Sequence, residues 1–350
     1  PILICGHRGY GETDRVSVPA NDYMRLYPEN TVESVKVALT ARVDMIEVDV
    51  VLSKDRVPMV IHSNDLRQHI FGQKFPEDKF YVSQYTAEEL KQFSPGPRDG
   101  GDKKIKLATL EEVMRTVAEH NAKSEKQVVL NIELKGTQGT DDPSILANHQ
   151  LVEGVRQVVD KKILPNENIL LSSFAASLLR DAKSQMPKIA RGLLLVGYED
   201  EAAKKSIFPA APQDDSVYET FDPERVKELH KALRLSAIHP EIRSLVKYKD
   251  GNPFATQAKQ ALTLLDKDLR SPNDEKLAVN CWWSKEEEVA RRFHESVSFN
   301  AINRTRKRGL PVGIISNHIQ RLRRQVEAYE ILAGMDIVED RDPKSSGRGL

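Results

Sequence analysis

The feature that most constrains the fold is a regular alternation of short β-branched runs with longer amphipathic stretches. Such alternation is typical of βα units, in which each helix packs back onto a parallel sheet. A length of 350 residues accommodates eight such units in one barrel. We therefore predict an α/β fold, a TIM (β/α)8-type barrel forming a single domain over residues 1–350. The predicted strands are residues 2–7, 44–50, 128–134, 169–174, 190–196, 277–283, 311–316 and 335–339, and the predicted outer helices are residues 31–41, 109–121, 149–162, 176–185 and 320–334.

Two features complicate the strand count. A ninth run, residues 235–239, competes with residues 277–283 for the sixth strand, and periodicity alone does not decide between them. Three long segments, residues 10–27, 65–106 and 197–276, interrupt the alternation. Because long loops inside a compact domain are usually functional, disordered or small subdomains, we predict these segments as insertions into one barrel.

Charge and apolar patterning exclude several classes of partner. The chain has 52 basic and 52 acidic residues, so no overall field attracts nucleic acid. Its apolar runs are far shorter than the roughly 18 residues that span a bilayer. We therefore expect a soluble protein without a membrane span, and we favour the cytoplasm; export after removal of a leader before Pro1 is the alternative. Cys5 and Cys281 lie in apolar runs and are interpreted as buried thiols. The sequence carries no signal for the oligomeric state.

Ionisable residues stand where the first two strands end. His7 and Arg8 follow the first strand, at the mouth of a parallel barrel where catalytic groups gather; a simple strand end with a turn glycine is the alternative. Glu47 and Asp49 are two apart in a strand and share one face. Two adjacent carboxylates repel unless a cation separates them, so this pair predicts a divalent metal ion. Outward-facing carboxylates on an edge strand are the alternative reading.

Further candidates follow in two more apolar runs. His62 ends the run at residues 57–62 and is a second group able to carry a proton, although a structural histidine is the alternative. Glu133 and Lys135 end the run at residues 128–135 and add a third carboxylate and a cation. Ligation by oxygen alone favours a hard ion, so we expect one divalent cation, Mg²⁺ or Ca²⁺.

Taken together and in order, these motifs resemble the glycerophosphodiester phosphodiesterase family. The resemblance rests on His7-Arg8-Gly9, Pro28-Glu29-Asn30-Thr31, Ile46-Glu47-Val48-Asp49-Val50, residues 57–62 with Leu66, Ile132-Glu133-Leu134-Lys135, Ser173-Phe174, and residues 334–338 with Asp340, Arg341 and Pro343. It implies a TIM-like barrel that hydrolyses glycerophosphodiesters, which are small molecules, to glycerol 3-phosphate and an alcohol with a bound divalent cation.

The resemblance also implies roles for individual residues. The two histidines correspond to the general acid and base, and the carboxylates to the metal ligands. Arg8 and Lys135 would grip the phosphate, and Glu29 would orient Arg8 or a water ligand. The implied site is therefore His7 and His62 for catalysis, Arg8, Lys135 and Glu29 for phosphate binding, and Glu47, Asp49 and Glu133 for the metal.

Some positions depart from the family pattern. Ser63 replaces the Asp that usually follows the second histidine, and Asp65 is the candidate substitute for orienting His62. The family's Trp-Thr-Val-Asn stretch is matched only partly, by residues 282–284 and by residues 314–317. Two alternative functions are a phospholipase D-like or lysophospholipid-cleaving enzyme on the same barrel, and a catalytically silent binding module.

Overall fold

The computed structural model describes residues 2–11, 13, 26–76, 79–96, 104–136, 142–195, 223–241, 277–282, 312–320, 322–324 and 326–327. The strands in these ranges are β1 (Ile2–Gly6), β2 (Met45–Leu52), β3 (Pro58–Val60), β4 (Ala108–Thr109), β5 (Val129–Leu134), β6 (Ile169–Ser173), β7 (Ala190–Leu195), β8 (Ala237–Pro240), β9 (Ala278–Cys281) and β10 (Val312–Ser316). The α-helices bounded within these ranges are α1 (Val32–Thr40), α2 (Ala87–Leu90), α3 (Leu110–Asn121), α4 (Asp142–Val159), α5 (Ala176–Gln185) and α6 (Pro223–Leu233), and residues 319–320, 322–324 and 326–327 are also helical.

Eight of the described strands close into a parallel barrel. Around the barrel the order is β1, β2, β5, β6, β7, β8, β9 and β10, and all neighbouring pairs are parallel. The pairing of β10 with β1 closes the barrel and sets Val312 opposite Ile2 and Ser316 opposite Gly6. This architecture, with helices between the strands, confirms the predicted TIM (β/α)8-type fold.

The two faces of each barrel strand have different partners. On β2, Ile46, Val48 and Val50 belong to the main apolar cluster, which the strands share with residues of the surrounding helices. Because side chains alternate along a strand, Glu47 and Asp49 between them point into the barrel. The apolar neighbours therefore mark the helix-covered face of a buried strand, and the alternative of an edge strand is wrong.

The inside of the barrel is unusually polar. Asn131 of β5, Ser172 of β6, His239 of β8 and Asn280 of β9 are all buried. His239 Nε2 lies 3.1 Å from Asn280 Nδ2. Burial of His239 lowers its pKa to about 3, so the ring is neutral at physiological pH. A Cβ at Gly192 of β7 would lie 2.7 Å from His239 Nε2, which explains why glycine stands there.

An excursion over residues 61–107 leaves the barrel after β2. Here β2 pairs antiparallel with β3, and β3 pairs antiparallel with β4. The excursion packs against β2 and β3 around a second core, the satellite cluster, made of Val51, Met59, Ile61, Leu66, Ile70, Val82, Tyr85, Ala87, Leu90 and Leu107. A capping box returns the chain to the barrel, because Thr109 Oγ1 accepts from the Glu112 amide at 3.3 Å and Glu112 Oε2 accepts from the Thr109 amide at 2.8 Å.

The strand assignment needs one correction. Residues 235–239 and 277–283 are not alternatives for the sixth strand. They supply β8 and β9, the sixth and seventh barrel strands. Residues 223–241 therefore belong to the barrel, although we predicted residues 197–276 as an insertion. The eighth strand is β10, and the predicted strand at residues 335–339 lies outside the described residues.

Other expectations meet the structure only in part. The predicted helices at residues 31–41, 109–121, 149–162 and 176–185 correspond to α1, α3, α4 and α5. Most of the predicted insertion at residues 10–27 lies outside the described ranges. Cys5 and Cys281 are buried free thiols, as interpreted from the sequence. None of the helices in the described ranges combines the length and the apolar character that a bilayer crossing requires.

We expect Gly192→Ala to destabilise the fold by roughly 1–3 kcal/mol, because its added methyl group overlaps His239 in a filled interior. Urea denaturation of the single variants and of the Gly192→Ala/His239→Ala double variant measures this coupling. The Gly192→Ala change should cost less in the His239→Ala background. Equal costs in both backgrounds would show that the two side chains do not compete for this space.

Candidate active site

Three carboxylates meet inside the barrel at the carboxyl ends of two neighbouring strands. Glu47 and Asp49 lie on β2 and Glu133 lies on β5, with Asp49 directly opposite Glu133 in the register. One oxygen from each residue lies within 4.8 Å of the others. All three side chains are buried. The structure thus brings together the three predicted metal ligands.

Burial and mutual repulsion shift the pKa values within this carboxylate cluster. Burial, together with the charges of Asp49 and Glu133, raises the pKa of Glu47 well above its ordinary value. Burial also raises the pKa of Glu133, against the opposing influence of Lys135. Asp49 is the exception: burial would raise its pKa, but Lys135 and other nearby positive groups outweigh it and hold the pKa far below the usual range.

Lys135 and Arg8 provide the cationic side of the site. Lys135 Nζ lies 3.1 Å from Asp49 Oδ1 and also pairs with Glu133 Oε1. These two carboxylates raise the pKa of Lys135 even though burial opposes it, so the lysine stays charged. The guanidinium of Arg8 donates to Glu29 Oε1 at 2.9 Å and places Nε 3.4 Å from Asp49 Oδ2.

A tight turn after β1 places Arg8. Arg8 has φ 50° and Gly9 has φ 89°, both in the left-handed region. Glu47 stabilises the turn, because its Oε2 accepts from the Arg8 amide at 2.7 Å and its carbonyl accepts from the Gly9 amide at 3.0 Å. A Cβ on Gly9 would lie 2.5 Å from Ser34 Oγ, so the chain needs glycine here for space as well as for φ.

The segment before α1 holds the site from the side. Asn30, with φ 58°, exchanges two hydrogen bonds with Asp49: its Nδ2 donates to Oδ2 at 2.9 Å and its Oδ1 accepts from the amide at 3.1 Å. The next residue, Thr31, caps α1 by accepting from the Ser34 amide at 3.1 Å. Two adjacent residues therefore fix the site: Asn30 orients the Asp49 carboxylate, and Thr31 caps the start of α1.

His7 borders the carboxylate cluster and is fixed by a residue of β10's end. Its Nδ1 lies 2.7 Å from Asn317 Oδ1, and its Nε2 lies 3.9 Å from Glu47 Oε2. An amide oxygen accepts, so this contact places a proton on Nδ1 and leaves Nε2 to exchange protons. Asn317 ends the partial match at residues 314–317, which the structure places on the last barrel strand.

His62 stands on another side of the cluster, after β3. Burial lowers the pKa of its half-buried imidazole well below the ordinary value, and the charges of Arg8 and Lys135 lower it further. The proposed substitute Asp65 is engaged elsewhere: it accepts from Arg67 Nη2 at 2.7 Å and caps the short turn at Leu66–Gln68. The expectation that Asp65 orients His62 is therefore wrong.

A cavity of about 370 Å³ opens beside His62 and Arg8. The described residues that line it are Arg8, Thr13, Pro28, Glu29, Asn30, Val60, Ile61, His62, Arg67, Gln68, His69, Phe71, Pro95, Gly96 and Leu107. The three carboxylates are not part of this wall. His62 and Arg8 thus separate the carboxylate cluster from a space large enough for a small organic group.

Sequence reasoning missed several polar residues of the site: Asn30, His69, Asn131 and Asn317. Asn30 lies within a motif used for the resemblance, but its sequence position gave no sign of contact with Asp49. Asn131 lies opposite Glu47 in the strand register, and neither of its amide atoms has a hydrogen-bond partner among the described residues. Asn131 and Glu133 are two apart in β5 and so share one face of the strand, and this spacing could have predicted that Asn131 lies at the site.

The donor set suits a hard divalent cation. Oxygen ligands from carboxylates are those preferred by Mg²⁺ and Ca²⁺. Glu47 Oε1 is buried and has no hydrogen-bond partner among the described residues, which is costly for a carboxylate oxygen. A cation among the three carboxylates would satisfy this oxygen and remove the repulsion that raises the pKa of Glu47.

The fold and the site define a (β/α)8-barrel protein with a buried carboxylate cluster at the carboxyl ends of its strands. The profile of the Glycerophosphoryl diester phosphodiesterase family matches residues 7–320, and the chain belongs to this family. The match ends before residues 334–343, which had been included in the resemblance.

Individual relatives agree with this assignment. The Glycerophosphodiester phosphodiesterase of Caldanaerobacter subterraneus subsp. tengcongensis is 30% identical over 174 residues, 48% of this chain and 61% of the relative. The chain thus spans less than two thirds of the length of that curated relative.

Solved structures show the same fold. An Oleispira antarctica phosphodiesterase in complex with the product sn-glycerol-3-phosphate has a TM-score of 0.59 at 20% identity, covering 93% of this chain and 96% of that one. A Thermotoga maritima glycerophosphodiester phosphodiesterase has a TM-score of 0.54 at 21% identity, covering 93% and 98%.

We expect Glu47→Gln to raise the melting temperature of the metal-free protein and to abolish most of the stabilisation by added Mg²⁺ or Ca²⁺. A carboxyl whose pKa is raised by folding destabilises the fold as pH rises from its unfolded-state value towards its folded-state value. Removing the charge removes this cost, but also removes a ligand. Thermal unfolding at neutral pH, with chelator and with each cation, measures both effects.

Glu119→Gln on the exposed surface of α3 is the matched control, with the same chemical change far from the cluster. It should leave the cation-induced shift at the wild-type value. A Glu47→Gln protein that is stabilised by cations as strongly as the wild type would show that Glu47 is not a ligand.

Proposed function

We propose that the protein hydrolyses small glycerophosphodiesters to glycerol 3-phosphate and an alcohol, using a divalent cation held by Glu47, Asp49 and Glu133. The observation that carries this proposal is the convergence of two imidazoles, an arginine and a lysine on one buried carboxylate cluster in a member of this family. The activity of the relatives supports the same reaction class.

Charge neutralisation is the first requirement, because a phosphodiester already carries a negative charge that resists attack by another oxygen. Arg8 and Lys135 stay cationic at neutral pH and lie at the carboxylate cluster, so we assign them to the phosphate oxygens. Glu29 holds the Arg8 guanidinium through a 2.9 Å hydrogen bond, and it is itself fixed because its Oε2 accepts from the Thr13 amide at 2.9 Å. We therefore assign Glu29 the orientation of Arg8.

The cation, when bound, would supply further positive charge at the phosphate and lower the pKa of a hydroxyl that it ligates. Its ligands would come from two strands of a rigid barrel, which gives the oxygen atoms a fixed separation. Asn30 and Lys135 hold Asp49, and the Arg8 amide holds Glu47, so the orientation of these carboxylates is defined before any ligand arrives.

We assign proton acceptance in the first step to His62 and proton donation to His7. His62 has a lowered pKa and is therefore neutral, which suits a base. His7 Nδ1 is held by Asn317 Oδ1 at 2.7 Å and its Nε2 lies 3.9 Å from Glu47 Oε2, so Nε2 is the ring nitrogen placed at the site to donate a proton. As the bond from phosphorus to the leaving alcohol breaks, the alkoxide takes the proton from His7 Nε2.

The nucleophile that best fits this substrate class is the neighbouring 2-hydroxyl of the glycerol group. Its attack passes a proton to His62 and forms a cyclic phosphate, which water then opens while the two imidazoles exchange roles. Intramolecular attack has a proximity advantage that reaches about 7–11 kcal/mol in the best cases. Attack by water in a single step gives the same products.

The first prediction from this proposal concerns turnover itself. Purified protein incubated with glycerophosphocholine should release glycerol 3-phosphate when Mg²⁺, Ca²⁺ or Mn²⁺ is present, and a chelator should stop the release. Asp49→Asn, which loses a proposed ligand, serves as the inactive comparison. Binding of substrate without turnover in all three metals would contradict the proposal and favour a silent binding module. Preferential cleavage of lysophosphatidylcholine would favour the alternative of a phospholipase D-like or lysophospholipid-cleaving enzyme.

His7→Ala and His62→Ala should each lower turnover by roughly 100-fold or more, as expected for proton-transfer groups. The pH dependence of kcat/KM separates their roles. His62 must be neutral to accept a proton, so wild-type activity should rise with pH through a midpoint below the ordinary histidine value of about 6.5. His62→Ala should lose this acidic limb, and His7→Ala should lose the basic limb.

His120→Ala, at the last turn of α3 and away from the site, should leave both limbs and the rate unchanged. If the acidic limb persists in His62→Ala and disappears in His7→Ala, the two roles are reversed.

A further inference from the structure

A second half-buried imidazole stands beside His62 and has no part in the proposed mechanism. His69 follows the short turn at Leu66–Gln68, and its side chain is 11% exposed. Its Nε2 is buried and has no hydrogen-bond partner among the described residues. Its ring forms part of the wall of the 370 Å³ cavity that His62 also lines.

His69 contacts His62 through their rings. The ring centroids are 6.1 Å apart and the ring planes make an angle of 76°, which is the edge-to-face arrangement that aromatic pairs prefer. On its other side, His69 Nδ1 lies 3.6 Å from Glu29 Oε1, beyond hydrogen-bond distance. His69 therefore contacts an aromatic ring on one side and approaches a carboxylate on the other.

The backbone holds His69 in this place. Its amide donates to the Leu66 carbonyl at 3.0 Å, and its carbonyl accepts from the Gly96 amide at 3.3 Å. The next residue, Ile70, is buried in the satellite cluster. The ring thus projects from a segment whose backbone is fixed on both sides.

His62 needs such a neighbour because hydrogen bonds do not orient it. Within the described ranges, no side chain hydrogen-bonds to its imidazole, whereas the other catalytic candidate, His7, is fixed by Asn317 at 2.7 Å. Ser63 uses its hydroxyl to accept from the Asp65 amide at 3.1 Å, and Asp65 is bound to Arg67. Among the described residues, the ring of His69 is the aromatic contact of His62 and can define its rotamer.

We propose that His69 is the positioning residue of His62: its ring packs edge-to-face on the imidazole and fixes the orientation needed for proton transfer. This inference rests on the proposed phosphodiesterase function. It gives the two proton-transfer histidines different supports, a hydrogen bond for His7 and a ring contact for His62. The 61–107 excursion thereby supplies the residue that aligns His62.

Three substitutions separate the ring contact from the polar contact. His69→Ala removes both and should lower kcat for glycerophosphocholine by about 10-fold, with KM changed less than about 2-fold, because misplacement affects the proton-transfer step more than binding. His69→Phe keeps a ring and should retain kcat within about 2-fold of the wild type. His69→Gln keeps a polar group near Glu29 without a ring and should behave like His69→Ala.

Leu90→Ala is the matched control for loss of packing. It removes a buried side chain of α2 from the satellite cluster and leaves the neighbours of His69 along the chain unchanged, so it should lower the melting temperature at least as much as His69→Ala while kcat stays at the wild-type value. The proposal is overturned if His69→Phe loses as much activity as His69→Ala, if His69→Gln retains full activity, or if Leu90→Ala reproduces the loss in kcat.

A measurement without turnover distinguishes failure of this inference from failure of the proposed function. In the metal-free protein, the Cε1–H NMR signal of His62 should be single and sharp in the wild type and in His69→Phe, and broadened or split into more than one line in His69→Ala. Loss of the ring current alone moves this signal without broadening or splitting it, so a single sharp signal in His69→Ala overturns the positioning role. Absence of glycerol 3-phosphate release by the wild type overturns the proposed function, while the NMR comparison still tests the ring contact.

Discussion

The mutual repulsion of three buried carboxylates is the constraint on which the rest of the site depends. A barrel interior that holds Glu47, Asp49 and Glu133 within 4.8 Å of one another must compensate their charge. The chain does so with Lys135 and Arg8 for Asp49 and leaves Glu47 with a raised pKa. Under the proposed function, this unequal compensation favours a divalent cation at the cluster.

Sequence patterns predicted the barrel because its strands are apolar on the face that the helices cover, and alternation with helical stretches follows directly from the βα unit. They also predicted the carboxylates, since a spacing of two in a strand fixes one face. The strand count near the end was harder. Residues 235–239 and 277–283 are both short apolar runs, and barrel membership depends on long-range pairing that local patterns do not encode.

The polar supports of the site escaped prediction for a related reason. Asn317 reaches His7 across 310 positions of the chain, and Asn30 reaches Asp49 only because its backbone adopts a left-handed conformation. The residues next to Asn30 and Asn317 in the sequence do not indicate which side chain each amide contacts. Asp65, chosen because it is close to His62 in sequence, instead pairs with Arg67, its own near neighbour. Proximity along the chain was a poor guide to orientation wherever a turn intervened.

Glu47 connects folding and chemistry through a single carboxylate. One of its oxygens accepts the amide of Arg8 and so stabilises the turn that presents the guanidinium, while the other faces the remaining acids without a hydrogen-bond partner among the described residues. A substitution at Glu47 would therefore change both the charge of the cluster and the turn that carries Arg8. Under the proposed function, binding of the cation and binding of the phosphate would be coupled through this one side chain.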